Sequence, residues 1–251
     1  MFAMINLLGL GAPMPVRVPE ARAGEGCVSG MVGVTEGGTV LLQRPGGDWP
    51  VVAGVLSGVV VNGVLGRADQ VTALQGVFGL GSARHASKEP DCRLTLAELR
   101  VPDCTGFDLR PVTSDVQKTV LRWRAACAQG LFALPLHQAR EKATPDLARW
   151  QAADSHRVLW HSGAAVALTG FNAVLPHMVQ IGTVYVSPRL RGRGCARRRV
   201  GLRPVQARAA GIRCAVLFAA SQAAERAYRS LGFVADGRMG FMLFDGQRVV
   251  V

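Results

Sequence analysis

The chain has 251 residues, 49% hydrophobic and 18% charged, enough apolar material for one large or two small packed domains, which excludes wholesale disorder. Its net charge of +12 is unevenly placed: residues 1–105 carry 8 Lys/Arg against 9 Asp/Glu, and residues 106–251 carry 21 against 8. A polyanionic partner therefore belongs to the second half.

Residues 1–11 are apolar without the positive n-region of a signal peptide, and read as the end of a helix. Residues 31–34 and 39–43 form two apolar runs joined by Thr35-Glu36-Gly37-Gly38, a hairpin signal. After the turn at Arg44-Pro45-Gly46-Gly47, Asp48 caps a helix over residues 49–56. Residues 59–65 read as a buried, valine-rich strand, residues 68–78 as an amphipathic helix, and residues 92–100 as a returning strand. The longest apolar stretch, residues 51–66, is broken by Ser57, Gly58 and Asn62. It is too short for the roughly 20 apolar residues that a bilayer span needs, so no membrane partner is expected. The order ββαβαβ describes a small α/β unit with no phosphate loop, and His85 reads as a loop residue. Pro102 to Gly106 is turn-rich and marks the boundary between lobes 1–105 and 106–251.

In the second half, residues 107–111 read as a strand and residues 116–126 as a helix. A second helix is expected to start with Thr144 as cap and Pro145 in its first turn. Strands follow at residues 157–160, 164–171 and 179–186; then come a helix over 195–210, a strand over 212–218, a helix over 222–230 capped by Ser221, and a last strand over 239–244. The six cysteines, Cys27, Cys92, Cys104, Cys127, Cys195 and Cys214, stand far apart with no C-x-x-C pair. Neither a metal site nor a disulfide framework is expected, and the thiols read as reduced in a cytoplasmic protein.

The stretch V-Y-V-S-P-R-L-R-G-R-G-C-A, residues 184–196, places a strand, a Gly/Arg turn and a helix start in succession. The first amides of a helix lack internal partners, and its dipole favours negative charge there. Glycines let the backbone approach an anion closely. Arg191, Gly194 and Ala196 fit the spacing Gln/Arg-x-x-Gly-x-Gly/Ala. Downstream, F-A-A-S-Q-A-A-E-R-A-Y-R-S-L-G-F puts Ser221 before an alanine-rich helix, Tyr228 within it, and Leu-Gly-Phe after it. With these motifs in this order, residues 106–251 resemble the GNAT (GCN5-related) N-acetyltransferase superfamily. The first half resembles the later part of a degenerate second GNAT lobe.

The resemblance implies an α/β (α+β) GNAT fold, a mixed, mostly antiparallel central sheet flanked by helices, with a smaller GNAT-like lobe. It implies transfer of an acetyl group from acetyl-CoA, a cosubstrate, to a primary amine, without a metal. Val184, Tyr185 and Val186 would pair with the pantetheine arm; Arg191, Gly192, Arg193, Gly194, Cys195 and Ala196 would cradle the pyrophosphate, with Ser221 beside the cofactor. Tyr228 would protonate the departing thiolate; its plain alternative is a core tyrosine. Eight arginines lie between Arg189 and Arg208. Arg191 and Arg193 are expected at the phosphates, and most of those from Arg197 to Arg208 on a solvated helix face. A nucleic-acid groove is the lesser reading, because no aromatic residue interleaves between Tyr185 and Phe218.

Two departures bear on activity. No Asp or Glu occurs between Asp154 and Glu225, leaving water or His177 to deprotonate the amine. Pro204 falls inside the helix after the loop, where it removes the bond to Val200 and is expected to kink the helix. The competing reading is therefore a CoA-binding or regulatory protein without turnover. The acceptor site is expected on residues 126–142 and 172–178, which carry no further clue to the amine.

Overall fold

The computed structural model describes residues 20–22, 28–35, 37–132, 134–187 and 195–250. The apolar start and the loop residues Arg191, Gly192, Arg193 and Gly194 lie outside them, as do the side chains of Cys195 and Ala196. By internal contacts the chain forms two units, Met1–Pro90 with Gly237–Val251, and Asp91–Asp236.

The first unit contains β1 (Glu20–Arg22), β2 (Val28–Val34), β3 (Thr39–Gln43), helix α1 (Trp49–Leu56), β4 (Val60–Arg67) and α2 (Ala68–Val77), with residues from Gly237 onward of β11 (Val234–Val249). Its strands run in the order β1-β2-β3-β4-β11, antiparallel except for β3 and β4. Asp48 caps α1 by accepting the Val51 amide at 3.4 Å, and Pro50 occupies the first turn, where its missing N–H costs nothing. The core joins Val40, Leu42, Val61 and Val64 of the sheet to Val52 and Leu56 of α1 and Val71 and Leu74 of α2. Every element expected in residues 31–78 forms within two or three residues of its expected bounds.

The second unit takes up the chain within β5 (His85–Thr95) and continues through β6 (Phe107–Pro111), α3 (Gln117–Phe132), α4 (Leu136–Ala152), β7 (His156–His161), β8 (Ala164–Val174), β9 (Met178–Val186), α5 (Cys195–Ala209), β10 (Cys214–Phe218) and α6 (Gln222–Arg229). Its strand order is β5-β10-β9-β8-β7-β6. All neighbours are antiparallel except β9 and β10, which α5 connects as a crossover. Residues 91–95 belong to this unit because Cys92 to Thr95 pair with β10. Successive strand residues point to opposite faces. Val158 packs with Val120, Trp123, Leu147 and Trp150 of α3 and α4, while Leu159 packs on the side of Leu202 of α5. Val179, Ile181, Ala215 and Leu217 meet Val200 and Ala207 of α5 and Tyr228 and Leu231 around α6. The result is the mixed, mostly antiparallel sheet with flanking helices expected from the sequence.

Helix α4 and strand β5 differ from expectation: β5 starts at His85, expected in a loop, and ends at Thr95 where the sequence suggested residues 92–100. Helix α4 begins at Leu136, so Thr144 is no cap and Pro145 lies in the helix interior. Ala139, Ala143, Leu147 and Trp150 are buried along one stripe, and tertiary packing of that stripe outweighs the local Thr-Pro signal. A buried ion pair holds the two helices together: Asp146 is 1% exposed, accepts Arg124 of α3 at 2.6 Å, and also pairs with Arg149. Helix α5 runs from Cys195 to Ala209 through both Gly201 and Pro204. A Cβ on Gly201 would lie 2.6 Å from Cδ of Pro102, so close approach of the chain explains the glycine.

Candidate active site

The site is built where β9 and β10 part. Their parallel ladder comprises Met178–Cys214, Val179–Ala215 and Gln180–Val216, and ends there. Beyond it β9 continues paired with β8 as far as Val186, and β10 continues paired with β5 as far as Phe218. The two strands thus form a fork that opens toward their C-terminal ends, the end from which the chain runs on from β9 to α5. The β8–β9 register shifts between Leu168 and Gly170, opposite Gly182 to Tyr185. Within this bulge Thr183 has φ +51, a left-handed backbone that a β-branched residue adopts at a cost of about 1–3 kcal/mol. The bulge resets the alternation of β9. Val184 turns toward the α5 face, whereas Tyr185 turns toward α3, with its ring 5.8 Å from that of Trp123.

Tyr228 is 3% exposed on α6, packed with Leu217, Leu231 and Phe233 on the α5–α6 side. Its ring centroid lies 6.1 Å from that of Phe233. Ser221 caps α6: its Oγ accepts the Ala224 amide at 3.2 Å, and the residue is exposed. Helix α5 begins at Cys195, where the sequence places the end of the pyrophosphate loop. His177 is exposed in the β8–β9 turn, and its carbonyl accepts the amides of Arg213 and Cys214 at the paired end of the fork. It therefore stands at the paired end of the fork and not at the open end. Gln180, 1% exposed at the branch point, has no hydrogen-bond partner for either amide atom among the described residues.

The arginines of α5 divide. Arg197 is exposed, as expected. Arg198, expected on the solvated face, donates to the Asp103 carbonyl at 2.8 Å, with its guanidinium 4.8 Å over Phe107. Arg203 is 3% exposed; it donates to the Ser155 carbonyl at 2.8 Å and stands 3.6 Å over Phe171. Burial, with Arg157 nearby, pulls its pKa down to about 9. The guanidinium's weak hydration and its fit on aromatic faces let these arginines brace the sheet. Counting charge along the helix does not find them.

Residues 119–233 match the Acetyltransferase (GNAT) family. The chain carries a GNAT domain. Solved structures extend the likeness over nearly the whole chain. A GCN5-related N-acetyltransferase from Kribbella flavida is 17% identical, covers 98% of this chain and 96% of its own, and superposes with a TM-score of 0.65. A functionally unknown conserved protein from Staphylococcus epidermidis is 13% identical over 100% of both chains, with a TM-score of 0.60. A tandem GNAT protein from the clavulanic acid biosynthesis pathway is 14% identical over 96% and 86%, with a TM-score of 0.53. At such identities the likeness is one of fold. No curated protein sequence matches the chain.

In the GNAT domain the sequence identified the fork strand and the helix after it, but missed the polar cluster beside the bulge. His156 of β7 is 2% exposed and stacked on Trp150 of α4 at 3.8 Å, with its two nitrogens 2.8 Å from Ser155 Oγ and 3.1 Å from Thr183 Oγ1. The Thr183 hydroxyl donates to Asn172 Oδ1 at 3.4 Å. Burial above all, then the guanidinium groups of Arg203, Arg124, Arg157 and Arg149, hold the imidazole well below its usual pKa, so it is neutral. A histidine in an alternating strand pattern carries no sign of such a role; the paired glycines Gly170 and Gly182 were the available signal. A groove of about 320 Å³ lies between α3 and α4, lined by Leu121, Ala125, Leu136 and Ala143 with Arg122 and Arg140; of these, Leu136 and Arg140 fall in the stretch 126–142 expected to shape an acceptor site. Among the described residues no group of acidic, histidine or cysteine side chains is arranged to hold a metal, and no helix is long and apolar enough to cross a membrane.

Proposed function

We propose that the second unit transfers an acetyl group from acetyl-CoA to a primary amine, with the fork between β9 and β10 as the cofactor cleft. The fork is the observation that carries this reading. A strand that leaves its parallel neighbour through a bulge and leads to a helix start offers a slot for an extended pantetheine arm, and beyond it a helix terminus suited to a pyrophosphate. In this reading the backbone of Val184, Tyr185 and Val186 pairs with the pantetheine amides. The amides from Arg191 to Ala196 cradle the pyrophosphate, and Arg191 and Arg193 add charge-assisted contacts. Ser221 uses its lone pair for the α6 cap and retains its hydroxyl proton for the cofactor.

The amine nitrogen attacks the thioester carbonyl carbon, forming the C–N bond; collapse of the tetrahedral intermediate breaks the C–S bond. The Tyr228 hydroxyl gives its proton to the departing sulfur, and the new amide's nitrogen loses one to water, which restores the tyrosine. We place this activity in the cytoplasm, where thiols such as Cys92, Cys104 and Cys214 remain reduced. The test is calorimetry with acetyl-CoA, followed by thiol release on a panel of primary amines. Binding with release of one thiol per acetylated amine supports transfer; no binding overturns the reading.

A second reading has its own support. Between Asp154 and Glu225 no carboxylate is present to take the amine proton, and Tyr228 is packed as a core side chain. Acetyl-CoA binding without thiol release across the panel would establish a regulatory CoA-binding domain.

A further inference from the structure

Thr183 carries a backbone conformation that its side chain disfavours, at the point where β9 leaves β10. What holds it there is a chain of three side chains from three strands. Thr183 gives its hydroxyl proton to Asn172 Oδ1 of β8, so its oxygen is left to accept from His156 Nε2 of β7. With that proton on Nε2, Nδ1 accepts from Ser155 Oγ, and every member has a donor matched to an acceptor. The sheet makes room for this chain on purpose. Gly170 and Gly182 are register partners on β8 and β9; a Cβ on the first would overlap the His156 ring, and on the second the Asn172 side chain. Trp150 closes the cluster from α4 by stacking on the imidazole.

We infer that His156 is a positioning residue: through its hydrogen bond to Thr183 it locks the bulge of β9, and with it the direction in which Val184, Tyr185 and Val186 leave the fork. Its effect on cofactor binding rests on the acetyl-CoA reading above; its effect on the strand does not. His156 touches no reacting atom in this scheme.

The test uses the full chain and two readouts, acetyl-CoA affinity by calorimetry and amide hydrogen exchange over residues 181–186 in the unliganded protein. His156→Gln can present an amide N–H near the place of Nε2, whereas His156→Asn reaches only the place of Nδ1. The glutamine variant is expected to bind within about threefold of the native protein. The asparagine variant is expected to bind about tenfold more weakly, with faster exchange over residues 181–186. Adding Thr183→Gly to His156→Asn should restore affinity, because glycine enters the left-handed region without help. A packing role alone makes the two His156 variants equal and the glycine useless, and that result overturns the inference. Should His156→Asn fail to fold, Thr183→Val removes the acceptor from the other side with shape retained and must show the same loss; native affinity in it also overturns the inference. If the native protein binds no acetyl-CoA, the functional reading falls, and the exchange arm still decides whether His156 holds the strand.

Discussion

At Tyr228 the two available roles predict opposite results. Replacement by phenylalanine keeps the ring among Leu217, Leu231 and Phe233 and removes only the hydroxyl. A proton donor of this kind contributes about 10²–10⁴-fold. Turnover should fall at least about tenfold with acetyl-CoA affinity little changed, as for an interaction made in the transition state. A lower melting temperature with normal turnover per folded molecule would assign the hydroxyl to the core. His156 leads to a pH prediction. Around it stand Arg203 of α5, Arg157 of β7, paired with Asp154, and Arg124 and Arg149 of the two helices, both paired with Asp146. The folded chain keeps the imidazole neutral, while the unfolded chain takes up a proton near pH 6.5. The unfolded state then binds more protons, so stability is complete above about pH 6.5 and declines as pH falls below it. Thermal melts between pH 7.5 and 5.5 should show this decline, and His156→Gln should flatten it.

At the scale of elements, Gly201 sets two known effects against each other. Alanine is the better helix former by about 1 kcal/mol. A methyl group here meets Pro102 at 2.6 Å, and overpacking costs typically about 1–3 kcal/mol. Gly201→Ala should therefore lower the melting temperature, although an exposed helical glycine would gain from the same change. The sequence could not foretell this, because glycine in a helix reads as weakness until its neighbour is known. The same holds for Arg203, whose charge suggested solvent and whose partners are the aromatic face of Phe171 and the Ser155 carbonyl, both distant in sequence. What could be read was local. Asp48 and Ser221 announce helix starts, valine runs announce buried strands, and the glycines after β9 announce the start of α5 at Cys195. The β9 bulge was not readable, since Thr183 obeys tertiary contacts against its own preference.

On the scale of the whole molecule, the two units repeat one theme unequally. In the first, β3, α1 and β4 again make a parallel crossover, but β3 and β4 stay paired through four successive positions, Thr39–Gly63 to Leu42–Gly66, and no fork opens within that ladder. The Asp48 carboxylate also occupies the start of α1, where a pyrophosphate would meet negative charge. Calorimetry should accordingly find one acetyl-CoA per chain. A stoichiometry of two would place a working cleft in the first unit.

The first unit is assembled from both ends of the chain, since Gly63 to Arg67 of β4 pair with Leu243 to Met239 of β11. On the ribosome, residues 91–236 are continuous and can fold as soon as they emerge. Strand β4 must wait for its last neighbour for the time taken to make that whole stretch, about 10–30 s at ordinary rates of synthesis. Throughout that delay a strand rich in valine presents an open edge, the kind of surface on which nascent chains pair wrongly. A stop codon in place of Gly237 would leave the second unit complete by sequence and the nascent first unit permanently in that vulnerable state. Its mark would be loss of yield during expression, before any loss of activity in the molecules that survive.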